Sequence, residues 1–221
     1  MFVEKFEEVD YEIPEGIVGI AGMAFYDNTR LNTIKIPSSM EHIGEYAFLS
    51  AYNLYDIEFH ENGKLRCLSD GVFQGCSKLK EIELPESLES IGECCFVSAG
   101  LTRLHIPENV KVIHSYHFTR LACIEAYSVD EDNPFYCNDE SGALYSKDMK
   151  ILIVFPRESA LTEYTVNQNC KIIRENAFSG SKLETISLNY GLEKIEISAF
   201  EFSKSNVYVS ATVNTVNSYA L

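Results

Sequence analysis

Basic residues are scarce in this sequence, with 18 Lys and Arg against 33 Asp and Glu and a formal net charge of -15. Such a chain repels phosphate backbones and anionic lipid, which argues against nucleic acid and membrane surfaces as partners and favours a basic one. No run approaches the roughly 18 apolar residues of a membrane-spanning helix. The opening Met1-Phe2-Val3-Glu4-Lys5-Phe6-Glu7-Glu8 is acidic where a secretory signal is basic and then apolar. Asn-x-Ser/Thr is absent, so nothing marks a glycosylated exterior.

Paired cysteine spacing is also missing. Cys67, Cys76, Cys94, Cys95, Cys123, Cys137 and Cys170 are odd in number and fit neither a zinc site nor a disulfide framework, so reduced, mostly buried thiols are expected. His42, His60, His105, His114 and His117 show no metal-ligand spacing, and Gly16, Gly19 and Gly22 stand as G-x-x-G-x-x-G, which is not a dinucleotide-binding loop. No Ser/His/Asp or Cys/His pairing stands out, and neither an enzyme, a metal nor a cofactor is expected. Cys94-Cys95 reads as packing.

What is present is a repeat. Phe25, Phe48, Phe73, Phe96 and Phe118 follow one another at 23, 25, 23 and 22 residues, then Phe178 at 60 and Phe200 at 22. Five residues before each stands Ile20, Ile43, Leu68, Ile91, Ile113, Ile173 or Ile195, and after most comes L-x-x-I-x-I, as in Leu31, Ile34 and Ile36. Alternation over its last residues is the signature of a strand with one face buried, and a proline (Pro14, Pro37, Pro85 or Pro107) ends it at the same place. A coil of this size cannot bury its own apolar side chains, whereas stacked coils bury each ladder against the next.

Residues 1–12 lack the pattern and read as an N-terminal cap, leaving 13–221 as one repeat domain. Between Phe118 and Phe178 a normal spacing leaves an insertion of roughly 37 residues, placed at 130–160. Its two apolar runs, Gly142 to Ser146 and Ile151 to Pro156, flank the polar turn Lys147-Asp148-Met149-Lys150 and predict a β-hairpin, either patching the solenoid or serving as a binding loop. Val209, Val213, Val216, Ala220 and Leu221 repeat the spacing of Ile106 to Phe118, so the chain stops inside an eighth, partial repeat. That end is either a minimal cap or the start of further coils.

Ile36-Pro37-Ser38-Ser39-Met40-Glu41-His42-Ile43-Gly44-Glu45-Tyr46-Ala47-Phe48 and Leu84 to Phe96 resemble the BspA-like leucine-rich repeats. Gly44 and Gly92, the alanines Ala24, Ala47, Ala177 and Ala199, and Cys76 after Phe73 stand where that pattern has glycine, alanine and cysteine. Leu68 lacks the following glycine, and Val166 and Leu188 are followed by asparagine in place of proline. The resemblance implies an α/β repeat: a right-handed solenoid with parallel strands on its concave face, about seven full repeats and a partial one. It further implies protein–protein contact without catalysis, often as an adhesin on a microbial surface. Without a signal segment, a cytoplasmic site is the alternative.

In such a fold the polar positions of each strand form columns: Thr33 and Lys35, Asp56 and Glu58, Glu81 and Glu83, Arg103 and His105, Ala126 and Ser128, Thr185 and Ser187. Asp56, Glu58, Glu81, Glu83, Arg103 and His105 are the expected protein-binding face, on strands close enough for neighbouring side chains to meet. The alternatives are a solvated polar face, or a structural spacer belonging to a longer surface protein.

Overall fold

The computed structural model describes residues 9–113, 121–209 and 213–220. The expected cap is described only from Val9 onward, and His114, His117, Phe118 and Leu221 lie outside the described residues. In chain order the strands are β1 (Val9–Glu12), β2 (Gly19–Ile20), β3 (Leu31–Ile36), β4 (His42–Ile43), β5 (Asp56–Phe59), β6 (Cys67–Leu68), β7 (Ser90–Ile91), β8 (Arg103–Ile106), β9 (Val112–Ile113) and β10 (Ala126–Val129). After them come β11 (Tyr136–Asn138), β12 (Leu144–Ser146), β13 (Ile151–Val154), β14 (Glu163–Thr165), β15 (Ile172–Ile173), β16 (Thr185–Ser187), β17 (Lys194–Ile195), β18 (Asn206–Tyr208) and β19 (Thr215–Val216). They wind a parallel-strand β-solenoid of about nine turns.

Most of the described coils contribute to two strand ladders. The first, built from L-x-x-I-x-I, runs β1-β3-β5, then β8-β10, then β14-β16-β18. In β3 the buried residues are Leu31, Ile34 and Ile36, the apolar set of the pattern. The second ladder holds the isoleucines five residues before each phenylalanine, in the orders β2-β4-β6-β7-β9 and β11-β12-β13-β15-β17-β19.

The third side of the coil corrects the α/β expectation, because no helix forms among the described residues. Around Phe48 the N–H groups alternate. Tyr46, Phe48 and Ser50 donate to Asp70, Val72 and Gln74 of the next coil (2.8, 2.9 and 2.8 Å), whereas Ala47, Leu49 and Ala51 donate three residues back to Gly44, Tyr46 and Phe48. The alternation requires a left-handed residue two places on either side of the phenylalanine. Tyr46 and Ser50 have φ of 56° and 59°, and Met23, Asp27, Gly71, Gly75, Cys94, Ser98, Asn176, Gly180, Ser198 and Phe202 take the same conformation in their coils. A helix needs consecutive right-handed residues bonded four apart, so this spacing of left-handed residues excludes one.

The phenylalanines stack where the repeat places them. Ring centroids lie 5.0 Å apart for Phe25–Phe48, 5.5 Å for Phe48–Phe73 and 5.8 Å for Phe73–Phe96, with planes within 16°. Sequence spacing overlooked one rung. Phe155 stands 23 residues before Phe178, stacks on it at 5.5 Å and donates its N–H to Ala177 as Phe48 does to Val72. The distance of 60 between Phe118 and Phe178 therefore divides into 37 and 23.

The inserted hairpin forms, with β12 and β13 antiparallel about a turn at 147–150, and β11 added on the other side of β12. Strand β13 then pairs in parallel with β15, so the hairpin ends as a rung of the second ladder. Fully buried Asn133 pins its start, donating from Nδ2 to the carbonyls of Pro107 and Val110 (2.8 and 3.0 Å) and accepting at Oδ1 from the N–H groups of Phe135 and Tyr136 (both 2.9 Å). Asn189 works similarly in the place of a proline, its Nδ2 donating to Gln168 and Cys170 at 2.9 Å.

Gly44 and Gly92 follow the buried isoleucine for a steric reason. A Cβ on Gly44 would lie 2.4 Å from the backbone N of Gly22, and one on Gly92 2.7 Å from the backbone carbon of Ser69. Gly44→Ala is therefore expected to destabilise by about 1–3 kcal/mol in a denaturant melt, opposite in sign to the gain from stiffening an unfolded glycine. An unchanged or raised midpoint would refute the close approach.

Candidate functional site: the acidic strand face

Parallel pairing aligns the polar positions of the first ladder into two columns. Asp10, Thr33 and Asp56 form one, and Glu12, Lys35 and Glu58 the other. Because strand side chains alternate, both columns face away from the core formed by Ile34 and Ile57. Thr33 Oγ1 donates to Asp10 at 2.9 Å, and Lys35 Nζ lies 2.7 Å from Glu58. The hydrogen bond from Lys35 to Glu58, with the charge of that carboxylate, raises the Lys35 pKa above its ordinary value.

The ladder is interrupted at the next coil, where Glu81 and Glu83 belong to no strand. Here the expectation of a strand in every coil fails. Four carboxylates of one sign would oppose one another across adjacent rungs, and like charges directly opposite weaken cross-strand pairing. The result is an open groove of about 290 Å³ lined by Asp56, Glu58, Glu81 and Glu83 with Ile57, Phe59 and Ile82 at its floor and sides. The four expected acidic residues are thus brought together and exposed. Arg103 and His105 stand one coil further on β8, exposed, paired to Ala126 and Ser128, with His105 Nδ1 3.0 Å from Ser128 Oγ.

Two polar clusters escaped the sequence reading. On the second ladder Glu89 accepts from both Arg66 (2.5 Å) and Lys111, and these contacts, Lys111 first, hold its carboxyl below the usual range. The signal was available, since Arg66, Glu89 and Lys111 stand 23 and 22 residues apart. At the insertion, Tyr145 O–H meets Tyr164 Oη at 2.6 Å and Tyr164 donates to Asp139 Oδ2 at 2.5 Å. Asp139, Tyr164 and Asn167 also line a cavity of about 630 Å³. Nothing in residue spacing foretells that chain of hydroxyls.

None of the seven cysteines is in a disulfide; Cys76, Cys95 and Cys170 are buried, Cys67 is exposed and the others lie between. Burial pushes the Cys170 thiol from 9.0 up to about 11 and Cys76 to about 12, and raises Cys95, Tyr127, Tyr145 and Tyr164 as well. A raised folded-state pKa contributes stability that is complete below the unfolded value and lost as pH climbs through the folded one. The melting temperature is therefore expected to fall steeply above pH 9 and through about 12. A flat profile across that window would contradict the burial of these groups.

The BspA type leucine rich repeat region is matched in six copies, over residues 2–125 and 154–221. The chain belongs to the BspA-type leucine-rich-repeat family. The interval between the matched stretches, 126–153, is where the hairpin interrupts the BspA-type pattern. A leucine-rich repeat protein from Eubacterium ventriosum superposes with a TM-score of 0.84 at 24% identity, over 93% of this chain and 55% of that one. The pneumococcal vaccine antigen PcpA gives 0.78 at 27% identity, over 96% of this chain and 63% of its own. A leucine rich cell surface protein from Faecalibacterium prausnitzii gives 0.58 at 16% identity, covering 97% and 79%. The chain thus spans little more than half the length of the first two solved relatives. None of the curated proteins matches it. Among the described residues no helix is long and apolar enough to cross a membrane.

Proposed function

We propose that this chain is a non-enzymatic docking scaffold whose first strand face receives a basic segment of a partner protein. The observation that carries the reading is the groove shared by Asp56, Glu58, Glu81 and Glu83, with Lys35 on one flank and Arg103 and His105 beyond it. Four carboxylates beside one another repel, and a lysine or arginine side chain from a partner relieves that repulsion while the flanking cations set its register. Membership in a repeat family built for extended contact surfaces supports the scaffold, and the surface and antigen descriptions of two relatives support display outside the cell.

The test is titration of a lysine- and arginine-rich peptide against the chain and its Glu58→Lys, Glu81→Lys, Glu83→Lys variant, after matching circular dichroism. The variant is expected to bind at least about tenfold more weakly, with the wild-type affinity falling as salt rises. Equal affinity for both proteins would remove the face from recognition. A second reading, a spacer within a longer surface protein, is favoured by the partial coverage of its relatives' length. It gains if no basic peptide binds either protein.

A further inference from the structure

At the insertion both strand ladders stop and restart. The first passes from β8-β10 to β14-β16-β18, and the second from β2-β4-β6-β7-β9 to the sheet that begins at β11. Elsewhere a break is one-sided: between β5 and β8 the first ladder is interrupted while the second continues from β6 to β7. The described buried side chains divide at the same place. Leu144, Ile153 and Val154 pack with the coils before the hairpin, and Tyr145, Leu152 and Phe155 with the coils after it. Leu144 and Tyr145 in β12, and Leu152 and Ile153 in β13, thus face two different cores, as alternation along a strand dictates, whereas Val154 packs on the same side as its neighbour Ile153.

Among the described residues the two sides are joined by the packing of Leu144, Ile153 and Val154 on the earlier core and by a set of hydrogen bonds. Tyr136 Oη accepts from the N–H of Ile113 at 3.2 Å and donates to the carbonyl of Lys111 at 3.3 Å, while Asn133 binds Pro107 and Val110. On the other face Tyr145 and Tyr164 link to Asp139, and single backbone bonds run from Tyr127 to Gly142 and from Glu158 to Ile124. In a solenoid, stability is a sum of coil terms and nearest-neighbour interfaces, so the weakest interface is where cooperativity fails.

We infer that the hairpin is a joint dividing the solenoid into two cooperative units, one ahead of it carrying the acidic face and one behind it that can open separately. Behind the joint the rungs Phe155, Phe178 and Phe200 stack on one another. Recognition at Asp56 to His105 would then survive unfolding of the coils from 155 onward. The device is conformational and independent of what binds the face.

Hydrogen exchange on the full chain tests it, comparing wild type with Phe178→Ala. Protection of amides in β15 to β17 should fall at least about a hundredfold, while that in β3, β5 and β8 stays within about threefold. The reciprocal Phe73→Ala should lower protection in β3 and β5 and spare β15 to β17. Should Phe178→Ala fail to fold, Phe178→Leu gives the same comparison with a smaller loss. Equal loss of protection on both sides of the hairpin in either variant would overturn the joint and establish one cooperative stack.

Discussion

Phe73→Ala is expected to lower the stability of the N-terminal coils by about 3–5 kcal/mol, the range for truncating a fully enclosed aromatic ring. Phe73 is fully buried between Phe48 at 5.5 Å and Phe96 at 5.8 Å, so its removal opens a cavity touching two neighbouring rungs. Neither ring can close the gap, because backbone bonds between coils hold both: Phe48 donates its N–H to Val72, and Cys95, beside Phe96, accepts from the N–H of residue 73. Phe25, only partly buried at the start of the described stack, should cost markedly less on the same substitution. Denaturant melts of the two variants decide it. Equal losses would mean that the phenylalanines are not a load-sharing column.

Asn133→Ala is expected to cost about 3 kcal/mol or more, although the residue is polar and lies in an inserted segment. Its amide satisfies two carbonyls of an earlier coil and two N–H groups of its own turn while wholly enclosed, and each buried group left unpaired costs roughly 1–3 kcal/mol. Asn133→Asp separates the roles. It keeps the acceptor for Phe135 and Tyr136 but sets a carboxylate against the carbonyls of Pro107 and Val110, so it too should destabilise. A neutral Asn133→Asp would mean that only the turn, and not the tie to the earlier coil, matters.

The architecture was legible because the repeat is written in side chains that must be buried. Leu31, Ile34 and Ile36 alternate inward in β3, and the isoleucines five residues before each phenylalanine form the second ladder. Two things were hidden for physical reasons. The α/β architecture that the resemblance implies puts helix near each phenylalanine, yet Tyr46, Cys94 and Phe202 all adopt φ above 50°, a conformation uncommon for such residues. Their cost is met by cross-coil hydrogen bonds that exist only after stacking. Phe155 was concealed by its setting, since Lys150 stands five residues before it, where the other rungs carry isoleucine or leucine, and Pro156 follows it.

The candidate face was readable to the same depth. Residue spacing placed Asp56, Glu58, Glu81 and Glu83 in neighbouring coils, and the register of β3 with β5 puts Lys35 against Glu58. What spacing could not supply was the loss of the strand at Glu81 and Glu83, which turns a row of charges into a groove. Nor could it supply the clasp of Glu89 by Arg66 and Lys111, which depends on rung order on the opposite ladder.

The proposal that this BspA-type chain recognises a basic partner through its first strand face is tested most directly by a backbone amide exchange footprint with a lysine- and arginine-rich peptide. Added protection confined to β5, the segment around Glu81 and Glu83, and β8 is the expected result. Protection on the second ladder around Arg66, Glu89 and Lys111, or none on either ladder while the peptide is bound, would contradict it.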